Sequence, residues 1–343
     1  MATKMKLLIL SLSCLLVRYG QGQQVRQPMR EEVWTAEQNA RELHRLAHEQ
    51  DLIYIHWLKN NRGEYEFYCD NRSFSNYTVE INFTEFINLQ ANTILPARIE
   101  VPPGLNFRLF VLQRTTLNAA SHFQYHHRSY KGCPAPKIDT GFTYLLPVAP
   151  GRSARVAELH SLAMDLANEA PPKDWYCLGI HVQAGDTVYA ARRGRVTNTR
   201  EHADLQDSGY SYSSDENFIE IEHNDCTFGK YSVLRDDAIF VHPGEWVEAG
   251  QPIGIAGGDK YASGPQFRFS VFYHLDQDVL DKDGNSTGKT RHWAYVPLYF
   301  WTKDNGKMRL ISQSIYTADH PADLVTREMS KKEAKKWKDK HYP

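Results

Sequence analysis

Alternation of apolar and polar residues dominates the chain between residues 63 and 131. The runs GEYEFYCDN, YTVEINFTEF, ARIEVPPG and NFRLFVLQRT set an apolar or aromatic side chain at about every second position, with Gly, Pro and Asn between them. That is the period of half-buried strands, and short strands at this spacing predict an all-β sandwich over 52–135. Upstream, the period changes. TAEQNARELHRLAHEQD, residues 35–51, places apolar positions at helical spacing behind a threonine able to cap them, which predicts a short helix within an N-terminal segment 23–51.

KGCPAPKID, residues 131–139, concentrates two prolines and a glycine and reads as a linker. Strand texture then returns in TVYAARRGRV, NFIEIEH, EWVEAGQPIGIAG and QFRFSVFY. After a polar DKDGNSTGK loop, VPLYFW and MRLISQSIY add two more strands. These predict a second β-domain over 140–320. The final stretch, REMSKKEAKKWKDKHYP, has helical composition and a basic character, so 321–343 is expected to be a solvated helix or frayed end, with an arm for anionic cell-surface polymer as the alternative. The expected fold class is therefore mainly β: a sandwich, a second β-domain and short helices at both ends.

Composition narrows the function classes. Of 343 residues, 41% are hydrophobic and 24% charged, an ordinary globular balance with room for two cores. Forty basic against forty-one acidic residues leave no overall field for nucleic acid or an anionic membrane, so no nucleic-acid partner is expected. The chain opens with MATKMKLLILSLSCLLVRYGQGQQ: lysines, an apolar run over 7–17, then small residues. That run is too short to span a bilayer and has the order of a secretory signal peptide, 1–22, cleaved near Gly22. A lipoprotein signal at Cys14 and a buried N-terminal helix are the weaker alternatives. The expectation is a secreted, periplasmic or cell-envelope protein without a transmembrane segment after cleavage.

Removal of the signal leaves Cys69, Cys133, Cys177 and Cys226, an even number for an oxidising compartment. Neighbourhood in sequence suggests Cys69 with Cys133 and Cys177 with Cys226, although three pairings, or four free thiols, are compatible with the sequence. Asn71, Asn76, Asn82 and Asn285 stand in Asn-x-Ser/Thr sequons, which would carry glycans in a eukaryotic secreted protein.

The segment from His160 to Phe272 carries the chemistry. Its blocks are HSLAMDLA (160–167), GDTVYAARRGRV (185–196), NFIEIEHND (217–225), KYSVL (230–234), VHPGEWVEAGQPIGIAGG (241–258) and GPQFRFSV (264–271). The ordered set resembles the lysostaphin or LytM type of peptidoglycan zinc endopeptidase over residues 140–275, which implies the duplicated-hybrid-motif fold. The preceding β-domain and the later VPLYFW strand resemble the arrangement in secreted Bacteroidetes proteins that carry this domain.

The resemblance implies a site in which a His and an Asp of the first block and the second His of a His-x-His block hold zinc. Such a set leaves a fourth position where bound water becomes acidic near pH 7, and neighbouring imidazoles stabilise the developing charge. Here the first block supplies His160 and Asp165, with four residues between them in place of three. Val233 stands where Tyr-x-His-Leu has its histidine, and Gln266 and Arg268 stand where His-x-His is expected. A guanidinium has no lone pair to give a metal and repels a dication. Hence no zinc and no catalytic residue is expected, His160 and Asp165 being remnant ligands, and Arg268 is expected to pair with Asp165 across the former metal position.

His181, His202, His223, His242 and His274 show no spacing that puts two imidazoles on one strand or helix face, so each is expected to be structural. GxSxG, HExxH and phosphate-loop motifs are missing from the sequence. The reading favoured by the sequence is a non-catalytic peptidase-like protein that binds cell-wall peptide or regulates a cell-wall hydrolase, with peptidoglycan or a cell-envelope protein as partner. The alternatives are an active zinc endopeptidase with a rearranged site built on His160, Asp165 and a further histidine, and a structural or adhesive exported protein.

Overall fold

The computed structural model describes residues 52–160, 174–202, 216–280 and 286–341. The signal peptide expected at 1–22, the helix expected at 35–51, Asp165 and the Asn285 sequon lie outside the described residues. Seven strands form the first unit: β1 (Ile53–Lys59), β2 (Tyr65–Asn71), β3 (Tyr77–Ile87), β4 (Leu89–Ala91), β5 (Ala97–Val101), β6 (Gly104–Arg114) and β7 (His122–Lys131). One sheet runs β1-β2-β6-β4 and the other β5-β3-β7, every pairing antiparallel. This is the expected sandwich.

Alternation decides which side chains meet between the two sheets. On β2, Phe67 and Cys69 are fully buried while Glu66 and Tyr68 point outward. Phe67 stacks on Phe110 at 4.7 Å between centroids and meets Phe83 and Tyr125 edge-on at 5.9 and 5.3 Å. Asn71 is buried as well. Its amide donates to the Ser75 and Val101 carbonyls at 2.8 and 2.9 Å, so this sequon is closed to a glycan.

The second unit contains β8 (Thr143–Leu145), β9 (Ser153–Glu158), β10 (Leu178–His181), β11 (Thr187–Tyr189), β12 (Gly194–Arg200), β13 (Phe218–Glu222), β14 (Phe228–Ser232) and β15 (Leu234–Ile239). It continues with β16 (Trp246–Val247), β17 (Pro252–Ala256), β18 (Gln266–Leu280), β19 (Ser286–Tyr295), β20 (Tyr299–Thr302), β21 (Gly306–Met308) and β22 (Ile315–Thr317). A nine-stranded sheet runs β16-β12-β13-β14-β18-β10-β9-β22, with β19 on the far end of β18. Two three-stranded sheets, β11-β17-β15 and β21-β20-β8, cover its core face. Ile219, Ile221, Tyr231, Phe267, Phe269 and Val271 fill that core at every second position of β13, β14 and β18. Two short helices close the described chain, α1 (Ala322–Val325) and α2 (Lys331–His341). No helix among the described residues is long and apolar enough to cross a membrane.

The cysteine pairing differs from the expected one. Cys133 is bonded to Cys226, with Cα atoms 5.8 Å apart, and Cys69 and Cys177 are free and buried. Strand direction explains the difference: Cys69 points into the sandwich core, whereas Cys133, past the end of β7, reaches the turn between β13 and β14. The bridge thus joins the two units. Beside it Glu222 accepts from Ser75 Oγ at 3.1 Å and from the Asn76 amide at 3.0 Å, and Lys131 pairs with Glu220. Phe74 lies against Gly244, whose φ is +94° and where an added Cβ would come within 2.9 Å of the ring, so that turn requires glycine.

Arg192 ties the C-terminal segment to the same β13–β14 turn. Buried at 4% exposure, it donates to Glu328 at 2.7 Å, to Asp225 at 2.7 Å and to the Tyr144 hydroxyl at 3.3 Å. Its guanidinium lies 3.8 Å from the centroid of the Phe142 ring. Three hydrogen-bonded partners and a stacked ring compensate the desolvation of the charge.

Candidate functional site

The face of the nine-stranded sheet turned away from the core carries the residues singled out in the sequence. β18 sends Phe267 and Phe269 into the core, so Gln266, Arg268 and Ser270 fall on the opposite face. There His181 is in register with Gln266, Gly179 with Arg268 on one side, and Ser232 with Arg268 on the other. All three β18 residues are nonetheless buried, at 3%, 5% and 8% exposure.

Arg268 finds its carboxylate in Glu216, immediately before β13. Its Nη1 donates to Glu216 Oε1, and the guanidinium lies 5.1 Å from the centroid of the Tyr261 ring. Tyr261 donates its hydroxyl to the same Glu216 oxygen at 3.0 Å. The pairing expected with Asp165 is not described, and among the described residues it is Glu216 that neutralises Arg268. Nothing in the sequence separates Glu216 from the other acidic residues. A buried arginine announces that a carboxylate is near, but only the fold selects which one.

Val233, between β14 and β15, has φ at +62°, a left-handed backbone that costs a β-branched residue on the order of 1–3 kcal/mol. Its carbonyl accepts from the Gly257 amide at 2.9 Å, which holds the turn into β15. Val233 borders a cleft of about 310 Å³ that Glu216 and Tyr261 also line, with Arg235, Asp236, Asp259 and Lys260 around them.

His160 stands apart from this group. It lies three residues past Ala157, the β9 residue in register with Gly179, and its exposed imidazole is 3.5 Å from Glu158. Its partner ligand in the sequence reading, Asp165, lies outside the described residues. The other histidines take separate roles. His181 faces Gln266, and burial pushes its pKa down. His223 is buried, donates from Nδ1 to the Arg193 carbonyl at 2.9 Å, and is pushed down to about 3 by burial, then by Arg192. His274 stacks on Trp293 at 3.5 Å. His202 meets Asp236 at 3.2 Å and Asp237 at 3.7 Å, all three exposed.

Among the described residues, the positions Val233, Gln266 and Arg268 supply no zinc-ligand set. Arg268 supplies a charged donor where an acceptor of metal is required, and Val233 and Gln266 offer no imidazole. Cys177 does not replace them. It lies close enough to Arg268 to feel its charge, and burial pushes its thiol up to about 12.

Residues 173–281 match the model of Peptidase family M23. This stretch is a peptidase family M23 domain. The M23 match spans β10 through β18 and so contains Val233, Gln266 and Arg268. Solved structures similar to the chain include the catalytic domain of lysostaphin from Staphylococcus simulans, 20% identical over 38% of this chain and 79% of that one, with a TM-score of 0.23. The catalytic domain of the prophage-encoded M23 protein EnpA from Enterococcus faecalis is 16% identical over 46% and 92%, with a TM-score of 0.23. Csd3 from Helicobacter pylori is 13% identical over 64% and 70%, with a TM-score of 0.26. The M23 assignment rests on the sequence match. None of the curated proteins matches the chain significantly.

Proposed function

We propose that the M23 domain of this protein binds peptide of the peptidoglycan type, or a cell-envelope protein that presents similar peptide, without cleaving it. The observation that carries this reading is the Arg268–Glu216 pair with Tyr261 at the strand position where the family resemblance implies a zinc-binding histidine. A fixed cation there opposes a metal, and Val233 removes the neighbouring imidazole. The cleft beside the pair remains open. Its rim alternates charge, Arg235 beside Asp236 and Asp259 beside Lys260, which suits a ligand bearing both free amines and free carboxylates. The signal-like N-terminus and the family together support a secreted or envelope location.

Incubation of the purified protein with peptidoglycan sacculi, followed by centrifugation and metal analysis of the same preparation, tests this reading. The expected result is co-sedimentation that Arg235→Gln with Lys260→Gln weakens, with zinc far below one per chain and no muropeptides released. One zinc per chain, together with muropeptide release abolished by a chelator, would overturn it in favour of an active endopeptidase. Retention in the supernatant would favour a structural protein with other partners.

A further inference from the structure

We propose that the outer face of α2 is a docking surface for an extended anionic polysaccharide. Six of the eleven residues of this helix are lysines, Lys331, Lys332, Lys335, Lys336, Lys338 and Lys340, and all six are exposed. The whole chain carries a net charge of −1, so this cationic density is a local feature of one helix and not a property of the surface at large.

The helix is built and anchored with its non-lysine residues. Ser330 and Glu333 form a reciprocal cap: the Ser330 amide donates to Glu333 Oε2 at 2.7 Å, and the Glu333 amide to Ser330 Oγ at 3.3 Å. Glu333 also holds Arg193 of the M23 domain, at 3.1 Å. Trp337, partly buried, packs on the cluster of Leu145, Ala249 and Val325. This fixes which side faces away. Ala334 and Trp337 lie inward, and the opposite side presents Lys332, Lys335, Lys336 and Asp339.

That arrangement is unfavourable for the helix alone. Lys331 with Lys335, Lys332 with Lys336 and Lys336 with Lys340 are like charges one turn apart, and the first two lysines sit at the positive end of the helix dipole. Among the described residues no carboxylate lies within ion-pair distance of these lysines, Asp339 on their own helix included. A polyanion laid along the face relieves each of these repulsions at once. The occupant is hydrophilic, because the outer side offers no apolar residue for insertion into a bilayer. Lysine ammonium groups are separate, rotatable point charges, suited to anionic groups repeated along a flexible chain and not to one planar carboxylate. The inference stands independently of what the M23 cleft binds.

The test uses the full chain on immobilised heparin, a sulfated polysaccharide, with elution by salt. Wild-type protein is expected to bind at low ionic strength. The Lys332→Gln, Lys335→Gln, Lys336→Gln variant is expected to bind at least about tenfold more weakly, and Asp339→Lys to elute at higher salt than wild type. Circular dichroism and thermal melting establish that each variant is folded, since the exchanged side chains are exposed. Equal retention of the triple variant and wild type, or an unchanged elution of Asp339→Lys, would overturn the proposal. So would tighter binding to phosphatidylglycerol vesicles or to duplex DNA than to the polysaccharide at the same salt.

Discussion

Arg268 and Glu216, 52 residues apart in sequence, form a buried ion pair on the sheet face that the family resemblance marks as catalytic. Their exposures are 5% and 11%, so the pair is nearly withdrawn from water. Arg268→Ala leaves Glu216 charged and nearly dry, and should lower unfolding stability by about 3 kcal/mol. Replacing both, with Arg268→Met and Glu216→Gln, should cost less than about 1 kcal/mol, because no uncompensated charge remains. Urea unfolding of the three proteins checks the relation, and a double variant as damaged as the single one contradicts it.

Glu222 makes the contact between the two units sensitive to pH. Burial raises its carboxyl to about 7 against an ordinary value of 4.5, with the Asn76 amide and Ser75 hydroxyl opposing the shift. A raised acid binds more protons folded than unfolded in that window. Its contribution to stability is therefore fully present below about 4.5 and falls as pH rises to about 7, by on the order of 3 kcal/mol at most. His223, held neutral by burial, acts in the opposite direction below its ordinary pKa, so the readout is a difference. Melting temperatures of wild type and Glu222→Gln, compared from pH 5 to pH 8, should show wild type losing ground to the variant as pH rises. A constant difference would show that the carboxyl titrates normally.

The Cys133–Cys226 bridge closes a loop of 93 residues, for which chain entropy gives a stabilisation of about 4–5 kcal/mol. Cys133→Ser with Cys226→Ser should reduce stability by an amount approaching this. Cys69 and Cys177, both pushed up to about 12 by burial, should resist iodoacetamide in the native protein and become alkylated only on unfolding. Peptide mapping by mass spectrometry distinguishes the pairings, and a Cys69–Cys133 peptide would refute this connectivity.

Arg192 governs the attachment of the C-terminal segment. Arg192→Met removes the counter-charge of both Asp225 and Glu328 and should cost about 3–5 kcal/mol. Limited proteolysis should then cut near residues 326–330 at protease concentrations that leave wild type intact. Arg192→Lys should give an intermediate loss, since one ammonium cannot span the positions that the planar fork reaches. Equal protection of Arg192→Met and wild type would show that α1 and α2 are held by apolar packing alone.

The strands were legible because a half-buried sheet writes its period into neighbouring residues: Phe67 and Cys69 in, Glu66 and Tyr68 out. The helical composition of α2 was equally local, although its reading as a solvated helix or frayed end did not place its start at the Ser330–Glu333 cap. What sequence did not disclose is long-range choice. Cys133 had two nearer partners and chose Cys226 because β7 ends against the β13–β14 turn. Arg268 had many acidic residues available and met Glu216 because the strand order brings the start of β13 within reach of β18. The resemblance pointed to Val233, Gln266 and Arg268, of which Val233 borders the cleft and Arg268 pairs with its lining residue Glu216, yet it carried no word of Tyr261, which only the turn after Gly258 delivers.

The crosslink beside Glu222 has a mechanical meaning. The proline-bearing linker would be the compliant joint between the units, but Cys133–Cys226 spans it covalently at its first residues and short-circuits most of its slack. A pull on the sandwich is therefore delivered directly into the β13–β14 hairpin, two strands whose neighbour is β18 with Arg268 on it. Whatever the N-terminal unit grips, its load enters the sheet that carries Arg268.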